Sequence, residues 1–242
     1  MRTAAALVIG NELLTGKIQD ANVLVLARTL RGIGVLLRRV VMVLDELDTI
    51  ASEVRALADS HDVVFTSGGV GPTHDDVTIA AISKAFGVDP VRSPEIEDTL
   101  RAYYKERLTD GHLAMAKIPA GARLARTAGG VWPAIVKDNV WILPGVPQIF
   151  AMKMPLVAAE LGTGRGWVSL AVFTTLDEGD LKEALDRVVA AHPDVEIGSY
   201  PTFSEVRYRT KLTFDGMDEA AVKRARDAFV GSLSAGVIVS GD

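Results

Sequence analysis

Residues 65–80 read Phe-Thr-Ser-Gly-Gly-Val-Gly-Pro-Thr-His-Asp-Asp-Val-Thr-Ile-Ala, with an apolar, strand-like run leading in and a helical run leading out. Strand, loop, helix in that order is the unit of an α/β fold, and the loop is built to meet an anion. Gly68, Gly69 and Gly71 let the backbone approach a ligand closely and take conformations that a side chain forbids. A helix beginning near Thr73 offers unpaired N–H groups and a positive dipole end. Ser67, Pro72, Thr73, His74 and Thr78 complete the candidate phosphate-binding stretch. Asp75 and Asp76 then stand where a bare phosphate site would repel them, which points to a divalent cation between carboxylate and phosphate or to an acid/base role. A plain βα turn, with Gly for tightness and Asp for capping, is the alternative. One Gly and one Asp would suffice for that.

Composition bounds the rest. The 242 residues suffice for a large domain with a smaller companion. With no Cys, disulfides, thiolate zinc sites and Cys nucleophiles are excluded. No uninterrupted apolar stretch approaches the ~20 residues of a bilayer span, and Met1-Arg-Thr leads directly into a β-like segment without signal-peptide grammar, so a soluble, cytoplasmic protein without membrane contact is expected. The formal net charge of −5, with acidic and basic residues interspersed, argues against a nucleic-acid partner.

Working outward from the loop, apolar runs at 4–9, 35–43 and 63–66 read as buried strands separated by helically spaced segments, the βαβα order of a mostly parallel sheet flanked by helices. The first helix is expected over Asp20–Arg31, ending at Gly32 and Gly34; Asp48 is expected to cap the second, and Ser93-Pro94 to open another running through Tyr103, Tyr104 and Leu108. Ala134–Leu143 reads as a hairpin with Asp138-Asn139 at its tip, delivering the chain to Pro144-Gly145-Val-Pro147 and a helix to Leu161. That Pro-Gly turn is either a second phosphate-side loop or a rigid helix start. A domain at 1–161 is therefore expected, then a linker around Gly162–Gly166 and a smaller α+β domain at 162–242. Its strand (168–174), helix (178–191), strands (195–199, 206–214), helix (218–233) and strand (236–240) make the ferredoxin-like βαββαβ order.

Four motifs in sequence, Ile9-Gly-Asn-Glu-Leu-Leu-Thr-Gly16, Asp20-Ala-Asn22, Gly68–Thr78 and Leu143-Pro-Gly-Val-Pro147, resemble the molybdopterin-binding-like fold shared by molybdopterin adenylyltransferases, competence/damage-inducible protein A and the N-terminal part of eukaryotic FAD synthases. Gly198-Ser-Tyr-Pro201 and Lys211-Leu-Thr213 bring the chain nearest to the FAD synthase group. The resemblance implies functional carboxylates at Asp76 and, in a short Asp-Glu motif, at Asp45, with Gly10, Asn11, Glu12, Asn22, Pro144 and Gly145 at the ligand side; Asn22 is as readily a structural cap. It also implies cleavage of a nucleotide pyrophosphate such as FAD or ADP-ribose to release AMP, with Mg, Mn or Co held by Asp75 and Asp76 and with Lys117 or Lys137 available to the departing phosphate. A non-hydrolysing pterin-phosphate binder is the rival reading, and a homo-oligomer is open. Two departures stand out. Arg126–Ala134 lacks the Asn-Pro-x-Gly-Thr-Ala-Pro-Gly-like segment of the competence-protein group, and the sequence ends at Asp242 without adenylyl-transferring or amidase domains, so FAD synthesis is not expected.

Overall fold

Ala4–Ile9 are buried throughout, as a strand covered on both faces requires, and they form the body of an interior strand. The computed structural model describes residues 1–126, 130, 132–162, 164, 166–203 and 207–240, and the chain divides into two compact units, Met1–Gly164 and Arg165–Asp242. The first runs β1 (Thr3–Ile9), α1 (Asn11–Leu14), α2 (Asn22–Gly32), β2 (Leu36–Val43), α3 (Leu47–Ser60), β3 (Val63–Ser67), α4 (Thr78–Ala85), β4 (Pro90–Arg92), α5 (Pro94–Tyr104), a 3-10 turn (Lys105–Arg107), α6 (Asp110–Ala114), β5 (Lys117–Pro119), β6 (Arg123–Ala125), β7 (Ala134–Lys137), β8 (Val140–Leu143) and α7 (Pro147–Leu161).

The main sheet has the order β2-β1-β3-β8-β7-β6; β2, β1, β3 and β8 are parallel, and β7 turns back through the Asp138-Asn139 hairpin. One face packs Ala4, Ala6, Phe65 and Trp141 against Leu26 and Leu30 of α2 and Phe150 and Val157 of α7. The other packs Leu7, Val64 and Ile142 against Ile50, Val54 and Leu57 of α3 and Ile82 of α4. Because the chain steps from β1 outward to β2 and then back across to β3, the strand order reverses at the β1/β3 junction. Loops beyond the carboxyl ends of these strands diverge there and leave a crevice.

Caps account for several helix ends. After α2, Gly34 at φ 77 lets the Val35 N–H reach Leu30 O at 2.9 Å and its own N–H reach Arg31 O at 3.3 Å. Ser93 accepts the Ile96 N–H at 3.3 Å with Pro94 opening α5. Four expectations change. α2 starts at Asn22, and Asp20 stands outside it, accepting the Val23 N–H at 2.9 Å. Asp48 does not cap α3; it lies in the first turn and pairs with Lys84 at 2.6 Å, while Glu46 precedes the helix without a capping bond. α5 stops at Tyr104 because Lys105 turns to φ 49, which leaves Leu108 beyond the helix. α4 begins at Thr78, five residues after the expected onset, for a reason that lies in the site.

The second unit runs β9 (Val168–Thr174), α8 (Glu178–Ala191), β10 (Glu196–Pro201), β11 (Thr210–Gly216), α9 (Glu219–Ser232) and β12 (Ile238–Val239). Its antiparallel sheet, β10-β11-β9-β12, is the ferredoxin-like arrangement. Leu181, Val188, Val222 and Phe229 of the two helices pack on Val172, Leu212 and Phe214. β11 starts at Thr210 rather than 206, and Val206, like Thr163 and Arg165 of the expected linker, lies outside the described residues.

Candidate functional site

The carboxyl ends of β1, β2, β3 and β8 carry the sequence-predicted residues to one edge of the sheet. At β1, Gly10 donates to Val43 O at 3.2 Å, which binds the chain to the end of β2. One residue on, Asn11 and Asp45 pair reciprocally. The Asn11 N–H reaches Asp45 Oδ2 at 2.9 Å, and the Asp45 N–H reaches Asn11 Oδ1 at 3.2 Å. Burial of Asp45 raises its pKa above the ordinary Asp value; the Asn11 N–H opposes this, and the negative charges of Glu12, Asp75 and Asp76 add to it. Four carboxylates from β1, β2 and the glycine loop therefore share one region of negative potential. Asp45 is half-buried there.

The glycine loop leaves β3 by a backbone path open only to glycine at two positions. Gly68, at φ 110, would drive a Cβ into the carbonyl oxygen of Ile9, and Gly69, at φ 64, would drive one into Thr78 Oγ1. Thr78 closes the loop: its hydroxyl donates to Gly68 O at 2.9 Å and its N–H to Gly69 O at 3.0 Å. Between these anchors Asp76 organises the turn. It accepts the Gly71 N–H at 2.7 Å, the Thr73 N–H at 2.8 Å and the Thr73 hydroxyl. Those bonds hold Gly71–Asp76 in a turn and take up the Thr73 N–H, and the helix begins after that turn. Among the described residues no hydrogen bond takes up the N–H groups of Gly69 and Val70. They remain as donors for an anion.

Opposite this loop lies Pro144-Gly145 at the end of β8. Gly68 N donates to Leu143 O at 3.2 Å, and a Cβ on Gly145 would stand 3.2 Å from Gly68 Cα, so the two loops touch through glycines. Asn22, only 3% exposed at the start of α2, clasps them: its Nδ2 donates to Ser67 Oγ and to Gly145 O, both at 2.8 Å. Its Oδ1 is buried without a hydrogen-bond partner among the described residues. Both amide hydrogens of Asn22 are thus spent on joining the two loops, the capping role the sequence left open, and Oδ1 can only accept.

Other expected participants lie elsewhere or remain at the rim. Pro72, Thr73, His74 and Asp75 are exposed on the loop. Lys137 stands at the opposite edge of the sheet, beside the start of β8, paired with Asp138 at 3.5 Å and over the Phe86 ring. Lys117 lies across from Arg92 in the β4–β5 ribbon. Among the described residues, no group of three or more His, Asp or Glu side chains converges as a closed metal cage would require. No described helix is long and apolar enough to cross a membrane. In the Arg126–Ala134 segment, Thr127–Gly129 and Val131 lie outside the described residues.

Sequence reading overlooked Lys153. It is 8% exposed on α7, with Nζ donating to Trp132 O at 2.6 Å and Pro133 O at 3.1 Å. Burial, and secondarily the Arg126 charge, push its pKa down to about 8. The signal was its spacing: Lys153 falls on the same stripe as Phe150, Met154 and Val157.

Comparison with known proteins adds the following. Residues 5–162 match the family described as "Probable molybdopterin binding domain", and residues 167–242 the one described as "FAD synthase, middle domain". A protein of Archaeoglobus fulgidus is 31% identical over 91% of this chain and 93% of its own. A probable FAD synthase of Caenorhabditis elegans is 31% identical over 96% of this chain and 51% of its own, so the chain spans about half of that relative. The crystal structure of the protein CinA, with unknown function, from Thermoplasma acidophilum superposes with a TM-score of 0.60 at 31% identity, covering 66% of this chain and 98% of that one.

Proposed function

Because the chain belongs to the family of probable molybdopterin-binding domains and continues into a FAD synthase middle domain, we propose that it is a metal-dependent nucleotide pyrophosphate hydrolase acting on a substrate of FAD or ADP-ribose type and releasing AMP. The observation that carries the reading is the meeting, at one sheet edge, of an anion cradle with mutually repelling carboxylates. A phosphate alone would be driven off by Glu12, Asp45, Asp75 and Asp76. A pyrophosphate arriving with a dication would relieve their repulsion.

The donor set fits a hard cation completed by phosphate oxygens and water, since Mg-type ions are commonly held by one or two carboxylates plus substrate. Asp76 spends its oxygens on Gly71 and Thr73, so Asp75 with Glu12 would hold the ion. Such an ion supplies charge neutralisation and a more acidic water. The protein's part is separable from that. The Gly69 and Val70 N–H groups bind a phosphate, Asn22 keeps the two glycine loops in register, and Asp45 accepts the proton of the attacking water. An O–P bond forms to one phosphorus as the bridging P–O bond breaks, and the electron pair leaves with the second phosphate.

The rival is a domain that holds a phosphorylated pterin such as molybdopterin without cleaving it; the family description and the purely structural bonds of Asp76 favour it. Phosphorus NMR of ADP-ribose and FAD incubated with the protein, with manganese or with chelator, separates the two. Loss of the pyrophosphate signals only with metal supports the hydrolase. Intact substrates beside saturable pterin binding support the rival.

A further inference from the structure

The second unit carries two motifs that the pyrophosphate reading leaves unused, Gly198-Ser-Tyr-Pro201 on β10 and Lys211-Leu-Thr213 on β11. Antiparallel pairing sets Gly198 opposite Thr213, Tyr200 opposite Lys211, and Lys211 opposite Phe173 of β9. Directly opposed residues share a face. The alternate residues Val172, Leu212 and Phe214 enter the helix-covered core, so Tyr200, Lys211, Phe173, Gly198 and Thr213 stand on the other face.

There the side chains are arranged as ring and cation. Lys211 Nζ sits 5.8 Å from the Phe173 ring centroid, and Tyr208 meets Phe173 edge-on at 4.8 Å. A Cβ on Gly198 would lie 2.9 Å from both Cε2 and Oη of Tyr200 and 3.1 Å from Thr213 Oγ1, so the absence of a side chain lets the tyrosine ring lie over the strand. Tyr200 is still 55% exposed. Thr213 Oγ1 beside it is buried without a hydrogen-bond partner among the described residues. Covering a strand glycine with an aromatic ring is a structural device in its own right. That device needs neither the cross-strand lysine nor an unpaired hydroxyl.

We propose that this face is a second binding site, separate from the glycine loop, for one planar heteroaromatic ring bearing a single phosphate, as in a flavin or purine mononucleotide. Tyr200 stacks on the ring and Lys211, its cross-strand neighbour, takes the phosphate. Sheet aromatics on a βαββαβ scaffold are also a platform for single-stranded RNA. Here the next cross-strand pair on the face is Glu196 with Asp215, which offers no second cation for a following phosphate. The site does not rest on hydrolysis by the first unit.

Its test is site-resolved. The full chain, labelled with nitrogen-15, is titrated separately with FMN, riboflavin, inorganic phosphate and an oligouridylate. Saturable FMN shifts at the amides of Phe173, Gly198–Tyr200 and Lys211–Thr213 are expected. Tyr200→Ala weakens FMN about tenfold or more, the loss of one stacked base, while Tyr200→Trp retains it. Lys211→Ala weakens FMN and leaves riboflavin unchanged. If Tyr200→Ala does not fold, Tyr200→Trp and Lys211→Ala decide the matter. Shifts confined to the Gly68–Thr78 loop, binding that survives Lys211→Ala unchanged, or tighter binding of the oligonucleotide than of FMN overturn the proposal.

Discussion

Replacing Asn22 by Ala removes the clasp between the two glycine loops, and the cost follows from its surroundings. The carbonyl of Gly145 can only accept, so the side-chain atom facing it must be the donor Nδ2; the orientation is set by chemistry rather than by choice. Truncation leaves Gly145 O and Ser67 Oγ without that partner, in a position where Asn22 itself is 3% exposed. Ser67 is buried, and an unsatisfied buried group costs roughly 1–3 kcal/mol, whereas Gly145 is exposed and water can replace the bond to its carbonyl, so a loss of about 1–3 kcal/mol is expected. Removal of the unpartnered Oδ1 partly offsets this. Urea unfolding at constant m reads that loss as a fall in midpoint. Asn22→Asp is nearly isosteric yet sets a carboxylate against the Gly145 carbonyl, and it should cost at least as much as the Ala variant. Affinity for inorganic phosphate should fall with both. Unfolding within about 0.5 kcal/mol of the parent chain, the range of an inconsequential surface change, would refute the clasp.

Three further outcomes follow. Gly68→Ala should prevent folding of the first unit or cost several kcal/mol, because its Cβ meets Ile9 O at φ 110; a thermal melt within a few degrees of the parent would contradict the loop geometry. Asp76→Asn replaces one of two accepting oxygens with a donor, so hydrogen exchange at Gly71 and Thr73 should accelerate at least tenfold, equivalent to the loss of about one charged hydrogen bond; unchanged protection would show that the carboxylate does not order the turn. Lys153 has a folded-state pKa of about 8 against 10.5 when unfolded, so between these values the unfolded chain holds a proton that the folded one has released, and stability should rise with pH across that window. Lys153→Met should flatten the rise, and an identical pH profile for the two proteins would contradict its burial.

The fold was legible because its signals were redundant. Continuous apolar strands point to a parallel sheet covered on both faces, and Gly34 after α2 and Ser93-Pro94 before α5 mark the ends of the helices that cover it. What the sequence concealed was how polar side chains spend their bonds. Asp76 looks the same in one dimension whether it binds a ligand or a turn, and only its bonds to Gly71 and Thr73 explain why α4 starts at Thr78. Asp48 could have capped α3; its pairing with Lys84 depends on the packing of α3 beside α4, which no local pattern encodes. Lys137 appeared available to a phosphate until the hairpin carried it to the far edge of the sheet. The meeting of Asn22, Ser67 and Gly145 joins positions distant in the chain, and the strand order alone brings them together.

The most direct test follows AMP by chromatography after incubation of ADP-ribose or FAD with the parent chain and with Asp45→Asn, each with manganese, cobalt or chelator, once circular dichroism has shown equal folding. The account predicts AMP only with metal and a fall of about 10²–10⁴-fold on losing the Asp45 base. Turnover that ignores Asp45→Asn, or no AMP from either substrate with either metal, would contradict it.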